Sequence, residues 1–267
     1  FILQDLLMSM ITSDQIKWMK PINTDTLFFR DKILTNLDHS PIFYDVKTNS
    51  VSVQSYCHTC LLYSREYYTA PIHYSFYLSD EEPKAQEIKY PSIYLNNYYG
   101  FSNIVFRSEY PDRYLVGFSA DPNIYLFDKT NQTKSIYRAK SNFQYSDIKP
   151  LNLKFKNDSD KKLKHLTLSP LYKEVFYDSY RDMYYRFLLN GIDEKNKDGT
   201  YNGWKDKELV LMIFDCNLDL ITEINLGKAV FNSSKSFIAK DGLYLNKFSS
   251  ENEKNNLSYE VLRISEI

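Results

Sequence analysis

The 267-residue chain lacks the short motifs that mark the common enzyme classes. It has 7 glycines, which form neither a glycine-rich phosphate loop nor a Gly-x-Ser-x-Gly elbow. Its four histidines, His39, His58, His73 and His165, are too scattered for their spacing to indicate a catalytic triad. The sequence therefore predicts no cofactor and identifies no catalytic residue.

Cysteine is also scarce. Cys57, Cys60 and Cys216 are too few, and odd in number, for a disulfide framework. Cys57 and Cys60 have redox-motif spacing, but neither a strand before them nor a helix beginning within the motif is evident, as a thioredoxin-like site requires. A zinc site would need His39 or His73 as a further ligand, and a second cysteine pair is absent. We expect no metal site, and two buried or loop thiols that are joined if the protein is exported.

The chain has neither a strong net charge nor a long apolar run. Its 33 lysines and arginines balance 34 aspartates and glutamates, which gives no long-range field to attract nucleic acid or an anionic membrane. No apolar run approaches the ~20 residues that span a bilayer. No signal peptide is visible from Phe1 onward, and we expect an upstream segment to have been removed.

Aromatic residues are abundant, with 24 tyrosines and 17 phenylalanines, and they favour pleated strands. One hairpin pattern recurs: an apolar strand ends in an aromatic residue and an aspartate, a polar turn follows, and a second strand alternates. Copies lie at residues 41–53, 124–136 and 212–224, with a weaker copy at 72–89. We interpret the aspartates as turn formers, because they can accept hydrogen bonds from the turn's own amides.

The strand pair that precedes this hairpin also repeats. Residues 105–118 align with residues 175–188 without a gap, five positions are identical, and a shorter echo covers residues 237–245. The repeat length is roughly 40–45 residues, which is typical of propeller blades. The aspartates that mark the copies are Asp25, Asp112, Asp182 and Asp241.

These repeats predict an all-β protein, specifically a β-propeller of four-stranded antiparallel blades. Six blades are favoured, five are the alternative, and a β-sandwich is the competing architecture. We predict one domain, residues 1–267, with five visible blades and a missing N-terminal portion. Residues 1–19 fit either a helix or an outer strand, residues 152–164 a polar connector, and residues 191–206 an insertion. The blades are predicted at roughly 14–55, 56–98, 99–145, 165–230 and 231–267.

The chain contains the tyrosine- and arginine-rich motifs Tyr177-Asp178, Tyr180-Arg181, Tyr184-Tyr185-Arg186-Phe187 and Lys240-Asp-Gly-Leu-Tyr244. These motifs resemble a family of uncharacterised bacterial propeller-like proteins, typically secreted lipoproteins, known only as a domain of unknown function. The resemblance covers about the C-terminal half of the chain. It implies a six-bladed ring and a location in the cell envelope, periplasmic or surface-exposed, but no reaction. The N-terminal lipoprotein segment of that family is not visible in this sequence, so the anchor is an expectation from the resemblance.

The candidate site is residues 174–189, which we predict to be two strands joined by a turn at residues 180–182. Arg186 stands where the preceding unit has Val116, and a buried arginine needs a partner. Asp178 on the adjoining strand is the predicted partner, in a tie that fixes strand register. The alternative is a binding surface in the ring's channel or mouth, since tyrosine and arginine are enriched at binding hot spots. The candidate binding residues are Tyr177, Asp178, Tyr180, Arg181, Tyr184 and Arg186.

The sequence leaves two functions open. The favoured one is a monomeric, non-catalytic binding propeller of the bacterial cell envelope that recognises a protein or a glycan through one rim. The alternative is a carbohydrate-active hydrolase that uses two channel carboxylates ~5–10 Å apart, drawn from Asp112, Asp178 and Asp182. A blocked channel would move the site to the loops, including the insertion at residues 191–206.

Overall fold

A computed structural model describes residues 7–12, 15–21, 32–34, 43–45, 49–57, 60–61, 63–77, 84–86, 88–129, 133–248 and 257–264. The chain divides into two compact units, Phe1–Leu95 and Asn96–Ile267. The predicted turn at Asp25 and the histidines His39 and His58 lie outside the described residues. The single domain and its five blade ranges stay predictions.

Among its described residues, the unit Phe1–Leu95 contains two antiparallel sheets. Strands β1 (Leu7–Thr12) and β2 (Gln15–Pro21) form a hairpin. Of the two structures predicted for the N-terminal segment, a helix or a strand, its described residues therefore form strands. The other sheet contains β3 (Lys32–Leu34), β4 (Phe43–Asp45), β5 (Ser50–Cys57), β6 (His73–Tyr77) and β7 (Lys84–Gln86). Its order is β3-β5-β6-β7, with β4 also paired to β5. A short helix, α1 (Arg65–Thr69), connects β5 to β6.

The unit Asn96–Ile267 contains three antiparallel sheets, each formed from consecutive strands. The first contains β8 (Val105–Glu109), β9 (Arg113–Phe118), β10 (Asp121–Asp128) and β11 (Thr133–Arg138). The second contains β12 (Leu171–Asp178), β13 (Met183–Leu189), β14 (Glu208–Phe214) and β15 (Leu220–Lys228). The third contains β16 (Phe231–Ala239), β17 (Gly242–Lys247) and β18 (Ser258–Leu262).

The two inner strands of the second sheet, β13 and β14, are buried on both faces, because their sequences are apolar on both faces. Side chains alternate along a strand, and β13 is apolar at nearly every position. Tyr184 and Leu188 pack into one core cluster, while Tyr185 and Phe187 pack into a cluster on the opposite face. Strand β12 contacts β8 and β9 of the first sheet and β16 of the third.

The prediction of an all-β chain with four-stranded antiparallel sheets is confirmed. The predicted hairpin at residues 212–224 joins β14 to β15, and Asp215 forms its turn. The Asp215 carboxylate accepts hydrogen bonds from the amides of Asn217, at 2.9 Å, and Asp219, at 2.8 Å. Aspartates in this position therefore act as turn formers.

Neither α1 nor a second, longer helix was predicted from the sequence. Helix α2 (Ser159–Leu168) begins inside the segment that was predicted to be a polar connector. Its sequence, SDKKLKHLTL, is too polar to give an obvious apolar stripe. Within the described part of the chain, neither helix has the length and apolar character needed to cross a bilayer.

Candidate functional site

A groove lies between helix α2 and the insertion that joins β13 to β14. Its volume is about 500 Å³, within the range of about 300–1,000 Å³ that is usual for small-ligand sites. Both walls belong to the unit Asn96–Ile267. The wall that the insertion forms lies within residues 191–206, the segment that the sequence predicts to be an insertion between strands.

The first wall begins where Asp158 caps α2. Its Oδ1 accepts a hydrogen bond from the Lys161 amide at 2.9 Å, which satisfies one of the open N–H groups of the first turn. Ten helical residues without glycine or proline follow. The helix is therefore defined by its cap and its lack of breakers more than by an apolar face.

The C-terminal end of α2 is held by a buried lysine. Lys207, at the end of the insertion, donates hydrogen bonds from Nζ to the carbonyl oxygens of Leu166 at 2.7 Å and Ser169 at 2.6 Å. These bonds satisfy carbonyl groups at the end of the helix. Burial lowers the pKa of Lys207 to about 7, and the nearby positive charge of Lys173 adds to the effect.

Glycine at position 191 lets the insertion start directly against this helix end. A Cβ atom on Gly191 would lie 2.2 Å from the carbonyl oxygen of Leu168. The next residue, Ile192, donates its amide to the Thr167 carbonyl at 3.1 Å. The beginning of the insertion is therefore fixed to α2 by backbone contact, and a larger residue at 191 would separate them.

The tip of the insertion is a small ordered hairpin. Lys195 and Tyr201 form an antiparallel β-bridge, and the Asp198 carboxylate accepts from the Thr200 amide at 3.0 Å and its hydroxyl at 2.6 Å. These bonds lower the pKa of Asp198. Gly199 has φ of +87°, a conformation that suits glycine. The hairpin thus sets the position of Tyr201.

The second half of the insertion places Trp204. The Asn202 side chain donates to the Asp193 carbonyl at 2.9 Å, which ties the two arms of the insertion together. The Gly203 amide donates to the Asp206 carboxylate at 2.7 Å, at the start of a 3₁₀ turn over Trp204–Asp206. The wall that carries both aromatic residues is therefore ordered by its own hydrogen bonds.

The groove combines exposed aromatic rings with charged and amide groups. Tyr201 is 70% exposed and Trp204 is 45% exposed, large values for aromatic side chains. Lys164 of α2 forms an ion pair with Glu194 of the insertion. The groove is lined by Asp160, Lys161, Leu163, Lys164, Leu166, Thr167, Glu194, Tyr201, Asn202, Gly203 and Trp204.

The structure separates the predicted site residues onto the two faces of the second sheet. Tyr177 and Tyr184 lie on one face, where Arg113 of β9 donates to the Tyr184 hydroxyl at 2.8 Å and stacks 4.6 Å from the Tyr177 ring centre. The Tyr177 hydroxyl donates to Asp182 at 2.8 Å. Burial, with this hydrogen bond, raises the pKa of Tyr177 to about 12. This cluster connects the first and second sheets.

Asp178 and Arg181 lie on the other face. The Asp178 carboxylate is fully buried and accepts from Arg181 Nη1 at 2.8 Å and the Tyr185 hydroxyl at 3.0 Å. Arg181 also donates to the Lys240 carbonyl at 2.8 Å, in the turn between β16 and β17. The pair therefore ties the second sheet to the third. Tyr180, in the predicted turn, is exposed.

The predicted pairing of Arg186 with Asp178 is wrong. Arg186 is opposite Val175 on β12, and Val175 and Asp178 point to opposite faces because they are three residues apart on one strand. The Arg186 guanidinium instead donates to the carbonyl oxygens of Pro122 at 2.5 Å and Asp121 at 2.8 Å. Arg186 thus links the second sheet to the first. Asp178 forms a separate link, through Arg181, to the third sheet.

Cys57 and Cys60 are joined by a disulfide. Strand β5 ends at Cys57, so a strand does precede the motif, contrary to the sequence interpretation. Helix α1 begins only at Arg65, beyond the motif, so the arrangement is not that of thioredoxin. The disulfide leaves neither sulfur as a thiolate for zinc.

Comparison with known families identifies the family of this chain. Residues 33–225 match the family described as Domain of unknown function (DUF4221). The chain belongs to this family.

A solved DUF4221 member shares the fold. The crystal structure of a member from Bacteroides vulgatus superposes with a TM-score of 0.67 at 20% sequence identity, covering 97% of this chain and 73% of that chain. A luciferin-regenerating enzyme gives a TM-score of 0.37 at 9% identity, over 91% of this chain and 63% of that chain, and carries no argument. No curated protein matches the sequence.

The aromatic residues of the groove in this DUF4221 protein were not among the site residues predicted from the sequence. Tyr201 and Trp204 lie outside the repeated strands. One local signal could have found them: the insertion holds three of the seven glycines, Gly191, Gly199 and Gly203, around its only aromatic residues. Glycines near exposed aromatic side chains in a long insertion are typical of an ordered functional loop.

Proposed function

We propose that this protein is a non-catalytic carbohydrate-binding protein of the bacterial cell envelope, and that the groove between α2 and the insertion is its binding site. One observation carries the proposal: Tyr201 and Trp204 are exposed inside a concave groove. Aromatic rings offer a flat apolar surface on which the C–H face of a pyranose ring can pack. Flanking polar groups then orient the sugar hydroxyls.

The order of the walls supports a binding role. Asp198 and Asp206 hold the insertion by hydrogen bonds, and Lys164 and Glu194 pair between the walls. A site that is ordered before binding loses less conformational entropy when a ligand enters. Standard protein partners cover about 800 Å² of surface, whereas the concave groove fits a short oligosaccharide better.

The sheet arrangement supports a β-propeller, the architecture that the sequence predicts with six blades. Each sheet of the unit Asn96–Ile267 is formed from consecutive strands, and its second sheet contacts both the first and the third through β12. Arg186 and Arg181 add side-chain ties from the second sheet to each neighbour. We propose that these three sheets are adjacent blades.

The Cys57–Cys60 disulfide supports the envelope location, because disulfides persist in exported proteins and are rare in the reducing cytosol. The source of the solved relative, Bacteroides vulgatus, agrees with a bacterial protein. Detection of the native protein in envelope or cytosolic fractions would decide this part of the proposal.

The binding test starts from an array of plant, microbial and host oligosaccharides, followed by calorimetry with each glycan retained. Trp204→Ala and Tyr201→Ala should each weaken binding about 10- to 100-fold, or about 1.4–2.8 kcal/mol, because each removes an aromatic contact surface. Tyr145→Ala is the matched control, since Tyr145 is 64% exposed in the same unit but does not line the groove.

An array on which no glycan is retained would contradict the proposal. So would a glycan that binds both groove variants as tightly as the parent protein. Capture of a protein partner that depends on Trp204, without any glycan, would replace carbohydrate with protein as the ligand class. Release of shorter sugars during the binding assay would favour the hydrolase alternative.

A further inference from the structure

The Cys57–Cys60 disulfide closes a very short loop at the end of strand β5. The two Cα atoms are 5.4 Å apart, within the usual range for disulfides. The stabilisation that a disulfide gives by constraining the unfolded chain grows with the number of residues in its loop. A bond between residues three apart therefore contributes less in this way than a disulfide that closes a long loop.

The two cysteines differ in how deeply they are buried. Cys57 is buried in the last position of β5, whereas Cys60 is only partly buried. The Cys60 amide lies 3.2 Å from the Cys57 Sγ and donates a hydrogen bond to it. A donor at this position would stabilise a thiolate on Cys57 when the disulfide opens. Cys57 Sγ, which accepts this hydrogen bond, is therefore the better leaving group, and Cys60, the less buried cysteine, is the better target.

We propose that Cys57–Cys60 is a redox-active disulfide that accepts two electrons from the dithiol of a partner protein. A thiolate of the partner attacks Cys60 Sγ, a bond forms between these two sulfurs, and the Cys57–Cys60 bond breaks. Cys57 leaves as a thiolate, held by the Cys60 amide, and takes a proton from solvent. The second thiol of the partner then attacks the mixed disulfide and releases Cys60.

The exchange balances. The partner dithiol is oxidised to a disulfide, and the Cys57–Cys60 disulfide is reduced to two thiols. Exchange through a mixed disulfide requires access to one sulfur only, which Cys60 supplies. The activity is separate from the groove and does not depend on carbohydrate binding.

The test uses the whole chain with Cys216→Ser, because Cys216 is an exposed free thiol that would otherwise react. The probe is thioredoxin whose second active-site cysteine is replaced by serine, so that the probe cannot attack the mixed disulfide a second time. We expect a trapped complex without denaturant, with the bond on Cys60 when the peptides are mapped by mass spectrometry. Reduced wild-type thioredoxin should convert the disulfide to two thiols in the folded protein.

Two single variants check the direction of attack independently. Cys57→Ser leaves Cys60 as the only thiol of the pair, and it should react with glutathione disulfide about 10-fold faster than the buried Cys57 left by Cys60→Ser. No trapped complex, a complex on Cys57, or reduction only after unfolding would overturn the proposal. If the single variants do not fold, the trapping result on the parent chain decides.

Discussion

Replacement of Arg186 should destabilise the unit Asn96–Ile267 more than that of any exposed arginine. The side chain is fully buried in β13 and stacks 4.2 Å from the ring centre of Tyr172. It donates to the carbonyl oxygens of Pro122 at 2.5 Å and Asp121 at 2.8 Å, at the start of β10. Arg186→Met keeps most of the volume but leaves these buried carbonyl groups without their charged donor.

The expected loss follows from these contacts. A hydrogen bond to a charged group contributes about 1.5–3 kcal/mol, so two short ones give about 3–6 kcal/mol. Removal of the buried charge offsets part of this loss, because the guanidinium no longer has to be kept out of water. We therefore expect Arg186→Met to lower the free energy of unfolding by about 3–5 kcal/mol, the usual cost of breaking a buried charged interaction.

The assay is urea denaturation followed by tryptophan fluorescence. The chain has two tryptophans, and Trp18→Phe leaves Trp204 as the single reporter, within the unit that contains Arg186. With a urea dependence of about 2 kcal/mol per M, the midpoint should fall by roughly 2 M. Arg186→Lys should lie between parent and Met, because an ammonium cannot reproduce the planar set of donors.

Arg138→Met is the matched control, since Arg138 is an exposed arginine at the end of β11 in the first sheet. Its free energy of unfolding should change by no more than about 0.5 kcal/mol. A loss below about 1 kcal/mol for Arg186→Met would refute the reasoning, because the ties to β10 would then contribute no more than one ordinary hydrogen bond.

Three further substitutions test other parts of the structure, each by urea denaturation. Gly191→Ala should cost about 1–3 kcal/mol, because its Cβ would lie 2.2 Å from the Leu168 carbonyl oxygen. Burial lowers the pKa of Lys207 to about 7, so between about pH 7 and 10 the Lys207 amine is protonated in the unfolded chain only. The free energy of unfolding should therefore rise with pH by up to about 1.4 kcal/mol per pH unit. Lys207→Met should lose this rise, measured from pH 7 to pH 9. Asp178→Asn should cost about 3–5 kcal/mol, because Arg181 loses its buried carboxylate at 2.8 Å.

Each of these has a control that changes the same residue type in a harmless position. Gly203→Ala should be tolerated, because its Cβ would meet only the flexible Asp206 side chain at 3.8 Å. Lys235→Met and Asp147→Asn replace exposed groups. Equal losses in a variant and its control, or an unchanged pH dependence in Lys207→Met, would contradict the corresponding explanation.

Local signals in the sequence were enough for the strands and their turns. Alternation and β-favouring residues predicted the hairpin at residues 124–136, which β10 and β11 form with Asp128 opposite Thr133. The turn before β13 was predicted from the sequence, and Asp182 occupies it with φ of +53°. These features depend on residues a few positions apart, and their physical causes act within the same short stretch.

The site could not be predicted in the same way. Helix α2 has no apolar stripe, and its position depends on Lys207, which is about forty residues further along the chain. The sequence placed the insertion at residues 191–206 among the candidate loops, but not the groove that it forms with α2. Contacts between residues so far apart in the sequence depend on the packing of several elements, which local sequence patterns do not reveal.

Residues 174–189 show the difference between what the local sequence determines and what the tertiary structure decides. Their sequence alone determined two apolar strands, a turn between them and a buried arginine that needs partners. The tertiary structure decided which partners: the strand pleat sends Asp178 and Arg186 to opposite faces, so each pairs with a different neighbouring element. Side-chain direction follows from the local backbone, whereas the groups that a side chain meets depend on how distant sheets pack.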